Sequence, residues 1–462
     1  MITVIRGGAP AVRKPTDRVE VLLARDAWSR DQLETYQRAR LRKVLEHAVS
    51  ASPYYREVLG GAALDPEVNL EDLPTLPKAT LMERFDDAVA DRRLRLAELE
   101  AHATGPDPGA LFAREFHVFM TSGTTGRRGV FPQTRAEFAQ WLAACWRALS
   151  RFGLRPGARA AGIAAPTPLH ITQKLFRALG GFGVGRPELA VTSPMPALVE
   201  ALGRDQPEAI LSLVSVVDAL ATEQLEGRLS IRPRWAAVSS EVVTEDARRR
   251  IGEAWGTEPI ELYSSTETLV MASEAPERVG LHVSEDLVVL EVVDERDRPV
   301  PPGVPGHKVL VTSLVNRALP LIRYEIADAV TLAPGPDPTG RPYQRLSRVD
   351  GRSDDILRFP AVGGGEALVL PHRLRAPFAR LAEVTQYQIV REPRRLVVRV
   401  VLGAGSSVET PDRVSAGVRA ALEEAGAIPP AITVEPVSAI EREPGSAKIK
   451  LIKSLDAPRP AG

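Results

Sequence analysis

Between Arg135 and Ser265 helices and short apolar strands take turns along the chain. EFAQWLAACWRALSRF sets Phe138, Trp141, Leu142, Cys145, Leu149 and Phe152 at helical spacing and predicts a helix over 135–152. There follow the small-residue strand RAAGIAA, a helix over 170–180, the helical pattern MPALVEALGR and the strand AILSLV. The helix VVDALATEQL, the strand WAAVSS, a helix over 244–255 and the strand PIELYSS complete the run. Strands separated by helices of this length pair in parallel, because each helix carries the chain back across one face of the sheet. The expected fold is a layered α/β domain, and in such sheets ligand sites gather at the carboxyl ends of the strands.

Outside that run the pattern changes. Upstream, Leu41, Val44, Leu45, Ala48 and Val49 mark one face of a helix read from Ser29 to Leu59, with His47 off that face and solvated. In LPTLPKATLMERF, Thr80 is expected to cap a short helix. After Thr268, strands follow one another without helices, as in DLVVLEVVDERDRPVPPGVPGHKVLVTSL, where DERDRP and PPGVPG read as turns and predict an antiparallel addition. Beyond the turn-rich LAPGPDPTGRP comes a short α+β pattern of YQIV, RRLVVRVVL, a helix over 411–425 and AITVEPV. The chain of 462 residues exceeds what one core usually holds, so a large N-terminal domain, 1–353, and a small C-terminal domain, 354–462, are expected.

Composition excludes some roles. Lys plus Arg and Asp plus Glu both total 59, so no net field draws the chain to nucleic acid or an acidic membrane. No apolar run approaches the ~20 residues that span a bilayer, and the N-terminus lacks the apolar core of a secretion signal. Cys145 is the one cysteine and reads as a core thiol. These features lead us to expect a cytoplasmic protein with no nucleic-acid or membrane partner.

The stretch HVFMTSGTTGRRGVFPQT places hydroxyl side chains and glycines directly after an apolar run. Glycines let several backbone N–H groups converge without side-chain bulk, which suits either anionic oxygens or a plain turn. The nucleotide-triphosphatase pattern GxxxxGK[ST] fails, because Arg128 stands where its second glycine belongs. Other segments then fall into order. TSGTTG (121–126), YSSTET (263–268), RYEIAD (323–328), GRSDD (351–355) and the lysine of SAKIK together resemble the signature of adenylate-forming enzymes, the superfamily of acyl-CoA synthetases, luciferases and nonribosomal adenylation domains. LRKVLEHAVSASPYYREVL, GLHVSEDLVVLEVVD and ALPLIRYEIAD are similar to the phenylacetate-CoA ligase branch, and the resemblance runs from about residue 40 to about residue 455.

That resemblance implies ATP and Mg2+ as cofactors, a carboxylic acid as substrate, aromatic in this branch, an acyl-AMP intermediate with loss of pyrophosphate, and CoA as second substrate. Thr121, Ser122, Gly123, Thr124, Thr125 and Gly126 match the triphosphate loop; Arg127 and Arg128 either add charge to it or are solvated. Tyr263 matches the ring against adenine, Thr266 a phosphate contact, and Glu267 the Mg2+ ligand, with Ser264 and Ser265 in the same nucleotide-binding run. Asp328 and Arg352 match the groups that reach the ribose. Lys448 matches the catalytic lysine of a mobile C-terminal domain and Asp354 its hinge. Ser239, Ser240 and Glu241 occupy a run lining the adenine and acyl sites, so Ser240 and Glu241 are assigned to the nucleotide and Ser239 to the acyl pocket. His170 has two readings, a contact to the substrate carboxylate and a structural histidine. His282, Glu285 and Asp286 are expected to support the fold.

Three departures bear on the second step. ILRFPAVGGGEALVLP replaces the short Arg-Gly run that follows GRSDD in the family, Glu325, Ile326 and Ala327 stand where most relatives have Arg-Thr-Gly, and Ala447 replaces a glycine. Two alternatives follow: adenylation with transfer to a carrier-protein thiol or an amine, and a non-catalytic nucleotide-binding homologue.

Overall fold

The computed structural model describes residues 15–65, 68–121, 128–179, 189–352, 355–369, 371–375, 377–378, 381, 383–403, 405–441 and 449–455. The triphosphate-loop residues Ser122 to Gly126, the hinge Asp354 and Lys448 therefore lie outside the described residues. Among the described residues a nine-stranded mixed sheet forms the centre. Its spatial order is Asp328–Leu332, Arg345–Arg352, Leu281–Val283, Leu269–Ser273, Ile260–Ser265, Trp235–Ser239, Ala209–Leu213, Ala160–Ala164 and Leu189–Ala190. The last five pair in parallel, and the four from Leu269–Ser273 outward pair antiparallel. The change of direction falls at Ile260–Ser265, where the helix-connected units end and direct strand-to-strand turns begin.

Helix Arg135–Arg151 leads into the first parallel strand, and helices Ile171–Leu179, Met195–Asp205, Val214–Leu225 and Glu245–Trp255 connect the five parallel strands, close to the spans expected from periodicity. Small residues in Ala160–Ala164 allow one of them to approach the sheet. A Cβ built on Gly162 would lie 2.7 Å from Cδ2 of Phe176, so the helix Ile171–Leu179 packs over the strand only because this residue has no side chain. A second, three-stranded antiparallel sheet of Val288–Val293, Lys308–Ser313 and Tyr324–Ile326 supplies the antiparallel addition. A separate hydrophobic cluster gathers Leu357 to Ile452 around a four-stranded sheet and the helix Thr410–Glu424.

Two local expectations are corrected. The helix read from Ser29 to Leu59 is two helices, Arg30–Ala51 and Pro53–Leu59. Pro53 forces the preceding Ser52 out of helical geometry, to φ −103° and ψ 121°, and Ser52 then caps the second helix. Thr80 caps nothing: extended Pro77 leads into Lys78–Glu83, and Thr80 lies inside that helix with its carbonyl accepting from Arg84 N. His47, off the apolar face as expected, is half-buried, and its Nε2 lies 3.0 Å from the Arg317 carbonyl oxygen.

The helix Arg135–Arg151 opens on a capping box between Thr134 and Glu137 and buries Cys145, whose thiol burial pushes up to about 12. Only the thiolate attacks, and a thiol pushed up to about 12 holds almost none of it at neutral pH. Native protein is therefore expected to resist a disulfide reagent that titrates one thiol rapidly in urea; fast native labelling would show that this helix opens readily.

Candidate active site

A single cleft of about 2050 Å³ runs along the carboxyl ends of the parallel strands and collects most of the described candidate residues. It is lined by Thr121, His170, Ser239, Ser240, Glu241, Tyr263, Ser264, Ser265, Thr266, Glu267, Asp328 and Arg352. Its volume exceeds that of an ordinary small-molecule pocket, which is about 300–1,000 Å³.

Strand pairing builds the polar end. Asp328 opens the strand Asp328–Leu332 directly opposite Arg352, the last residue of its antiparallel partner, and Arg352 Nη1 donates to Asp328 Oδ1 at 3.2 Å. Tyr263 Oη donates to the other oxygen, Oδ2, at 2.9 Å. Burial, reinforced by the Asp328 charge, raises the Tyr263 pKa well above the phenol range, so the hydroxyl stays a donor. Tyrosine and arginine thus hold one carboxylate from two sides at the cleft wall.

Glu267 sits in the tight turn between Ile260–Ser265 and Leu269–Ser273, where Thr268 N donates to Ser265 Oγ at 3.2 Å and Leu269 takes the left-handed φ of 46°. Its backbone is clamped: the carbonyl accepts from Gln133 Nε2 at 3.3 Å and Asn316 Nδ2 at 3.0 Å. Asn316 is itself fixed by Trp141 Nε1 at 2.9 Å. The carboxylate, 8% exposed as a residue, accepts at Oε1 from Tyr324 Oη at 3.2 Å. Among the described residues no group of three His, Cys, Asp or Glu could hold a metal on its own. One carboxylate among hydroxyl residues is nevertheless the donor set that suits Mg2+, which commonly takes one or two protein carboxylates, substrate phosphates and water.

Lys78 is a site residue that sequence reasoning passed over. Its Nζ donates to Thr121 Oγ1 at 3.0 Å, and the same oxygen accepts from Gly129 N at 2.8 Å. Thr121 N donates in turn to Gly129 O, which closes the neck of the hydroxyl-rich loop. Burial lowers the Lys78 pKa, with Arg352 pushing the same way and Glu267 opposing, so this ammonium stands within the field of both. No motif contains it, because its neighbour Thr121 lies 43 residues away.

His170 lines the cleft, and its Nδ1 lies 2.9 Å from Thr172 Oγ1 at the start of Ile171–Leu179. The Ser239 and Ser240 hydroxyls lie 3.4 Å apart, with Ser240 in the left-handed region at φ 69°. Glu241 Oε2 accepts from Ser215 N at 2.7 Å and Oε1 from Ser215 Oγ at 3.1 Å. Glu325, where the family carries arginine, is neutralised by Lys308 Nζ at 3.0 Å and accepts from Thr75 Oγ1 at 2.7 Å. His282, Glu285 and Asp286 do hold the fold. His282 Nε2 lies 2.6 Å from Asp337 Oδ2, Glu285 pairs with Arg30 at 2.8 Å, and Asp286 with Arg147 at 3.0 Å.

Donors, a cation and one buried carboxylate thus meet on the carboxyl side of a parallel sheet, an arrangement whose chemistry suits an anionic, phosphate-bearing ligand. Residues 34–313 match the family model of AMP-binding enzymes, more than half of the chain, and the chain belongs to that family. It is 29% identical to a phenylacetate-coenzyme A ligase of Thermus thermophilus over 383 residues, covering 78% of each protein. Its identity to the Escherichia coli phenylacetate-coenzyme A ligase is 27%, over 79% of this chain and 80% of the relative. Among solved structures, 2-hydroxyisobutyryl-CoA ligase in its postadenylation state superposes with a TM-score of 0.74 at 21% identity, covering 99% of this chain and 95% of that one. The same ligase in its thioesterification state gives 0.59 at 21% identity, over 98% and 95%.

Proposed function

We propose that this enzyme activates a carboxylic acid with ATP, forming an acyl-AMP and pyrophosphate, and then transfers the acyl group to CoA. The observation that carries the reading is the convergence of Lys78, Thr121, Tyr263, Glu267, Asp328 and Arg352 on one cleft. Attack of a carboxylate on the α-phosphorus brings two anions together, so charge neutralisation and alignment matter more than a general base. Tyr263 and Asp328 hold the nucleoside, with Arg352 orienting the Asp328 carboxylate. Lys78 and the loop that begins at Thr121 take the phosphates. Glu267 would hold Mg2+, which would supply positive charge to the phosphate oxygens. The apolar part of the cleft, with Ile163, Phe176, Val191 and Met195, takes the organic group of the acid, an aromatic one by likeness to the relatives. Residues 354–462 form the small mobile domain, turning at Asp354, and Lys448 brings its charge to the acid and the α-phosphate.

Pyrophosphate release with ATP, Mg2+ and a panel of aryl and alkyl acids, with and without CoA, tests the reading. Acid-dependent release with an acyl-CoA product is expected. Accumulated acyl-AMP that ignores CoA would redirect the second step to a carrier-protein thiol or an amine, and no release with any acid would reject the reading.

Lys78→Met keeps the aliphatic stem and removes the charge. A loss of about 10- to 100-fold in kcat/KM for MgATP is expected, equivalent to about 1.4–2.7 kcal/mol of transition-state stabilisation. Unchanged kinetics would reduce Lys78 to a structural partner of Thr121.

A further inference from the structure

Family likeness assigns Glu241 to the nucleotide, and its contacts reach the C-terminal segment as well. The chain reverses at Ser240, and the next side chain reaches the first turn of the helix Val214–Leu225, where Ser215 N and Oγ donate to its two oxygens. A carboxylate at that helix end is favoured by the unpaired N–H groups and the helix dipole, so Glu241 is held in a fixed direction. Its Oε1 accepts a further hydrogen bond, at 3.4 Å, from Ile449 N, 208 residues away. Ile449 directly follows Lys448.

Three other bonds of the described tail residues stay within the C-terminal segment. Gln388 Nε2 donates to Lys450 O at 2.9 Å, Ile389 N to Leu451 O at 2.7 Å, and Lys450 Nζ lies 3.1 Å from Asp355 Oδ1. These bonds join residues of the C-terminal segment to one another. The bond to Glu241 instead crosses to the α/β sheet, at the wall of the cleft that Ile449 and Lys450 also line. The chain superposes better on a relative's postadenylation state than on its thioesterification state, so the crossing contact belongs to the arrangement nearer the first.

We propose that Glu241 is a positioning residue for the adenylation step: it docks the backbone beside Lys448 onto the cleft wall and sets where that lysine enters. This rests on the proposed adenylation reading and on Lys448 as its lysine. A docking point of this kind acts on acyl-AMP formation, where the lysine is needed, and much less on thiolysis, in which the tail has moved away. A nucleotide ligand would act on both.

Full-length wild type, E241A, E241Q, K448A and E241A/K448A are compared by three readouts. These are deuterium uptake of the peptide containing Ile449, acyl-AMP formation, and CoA thiolysis of supplied acyl-AMP. E241A is expected to speed exchange at Ile449 and to slow acyl-AMP formation about 10- to 100-fold more than thiolysis, with E241Q recovering part of the loss because it keeps an acceptor oxygen. E241A/K448A is expected to form acyl-AMP no more slowly than K448A. Unchanged exchange at Ile449, equal losses in the two half-reactions, or a raised KM for ATP with kcat intact would overturn the proposal. If wild type forms no acyl-AMP with any acid, the adenylation reading fails on its own terms, while the exchange data still decide whether Glu241 docks the tail.

Discussion

Glu267→Gln is expected to lower acid-dependent pyrophosphate release by about 100- to 1,000-fold, or about 2.7–4 kcal/mol, the scale of losing one preorganised electrostatic group at a developing charge. Glutamine keeps the shape, so the substitution isolates charge. The turn should survive it, because Gln133 and Asn316 bind the Glu267 carbonyl rather than its side chain, and Tyr324 Oη can still donate to an amide oxygen. On the proposed reading the lost function is metal binding, because an amide oxygen is a far weaker ligand for a hard divalent cation than a carboxylate. The defect should therefore shrink as Mg2+ concentration rises, and thermal unfolding should shift little. Turnover within a few-fold of wild type, together with a clear fall in Tm, would make Glu267 a structural acid at a strand end and remove it from the chemistry.

Elements carried by local spacing were legible in the sequence, while those set by distant partners were not. Helices with a periodic apolar face, such as Arg135–Arg151 and Glu245–Trp255, were readable to within a residue or two, since burial of one stripe dictates both period and length. The break at Ser52 followed from a local rule about proline that the apolar pattern on either side concealed. Tyr263, Asp328 and Arg352 were legible by resemblance, but their mutual hydrogen bonds depend on the register that sets Asp328 opposite Arg352, which no motif states. Lys78 escaped because a lone lysine in a proline-dotted segment resembles solvated charge. Its significance comes from Thr121, which the fold brings to it. For Glu241 the likeness supplied a location at the cleft, and the contacts to Ser215 and Ile449 supply a different task.

The same limit hides the polar network expected to matter most for stability. Asp286 has a fully buried side chain that accepts from Arg147 Nη1 and Nη2, both at 3.0 Å, and from Arg25 Nη1 at 3.0 Å. The Arg147 side chain is only 2% exposed, and its Nη1 also donates to Tyr343 Oη at 3.3 Å. Tyr343 Oη donates in turn to Asp26, which is held by Arg151 at 2.7 Å. The N-terminal segment, the helix Arg135–Arg151 and the loops that carry Asp286 and Tyr343 are thus joined through groups far apart in sequence.

Asp286→Ala leaves the Arg147 guanidinium buried without its counter-ion, and removing one member of a buried pair costs about 3–5 kcal/mol. That is a large part of the ~5–15 kcal/mol by which a domain is ordinarily stable, so reduced yield and a markedly lower urea midpoint are expected. Because Asp286 is absent from the cleft lining, variant protein that remains folded should retain near-normal KM values. The double substitution Arg147→Met with Asp286→Leu tests the cause. It removes the Arg147 and Asp286 charges and fills the space with apolar atoms, which in other buried pairs is neutral or stabilising by about 1–4 kcal/mol, while Arg25 at the edge of the network loses its Asp286 partner. If Arg147→Met/Asp286→Leu recovers most of the stability lost in Asp286→Ala, the stranded charge is the source of the loss. If the double variant is as unstable as the single one, the loss instead lies in what both variants share, the ion pair from Arg25 to Asp286, which apolar packing cannot replace.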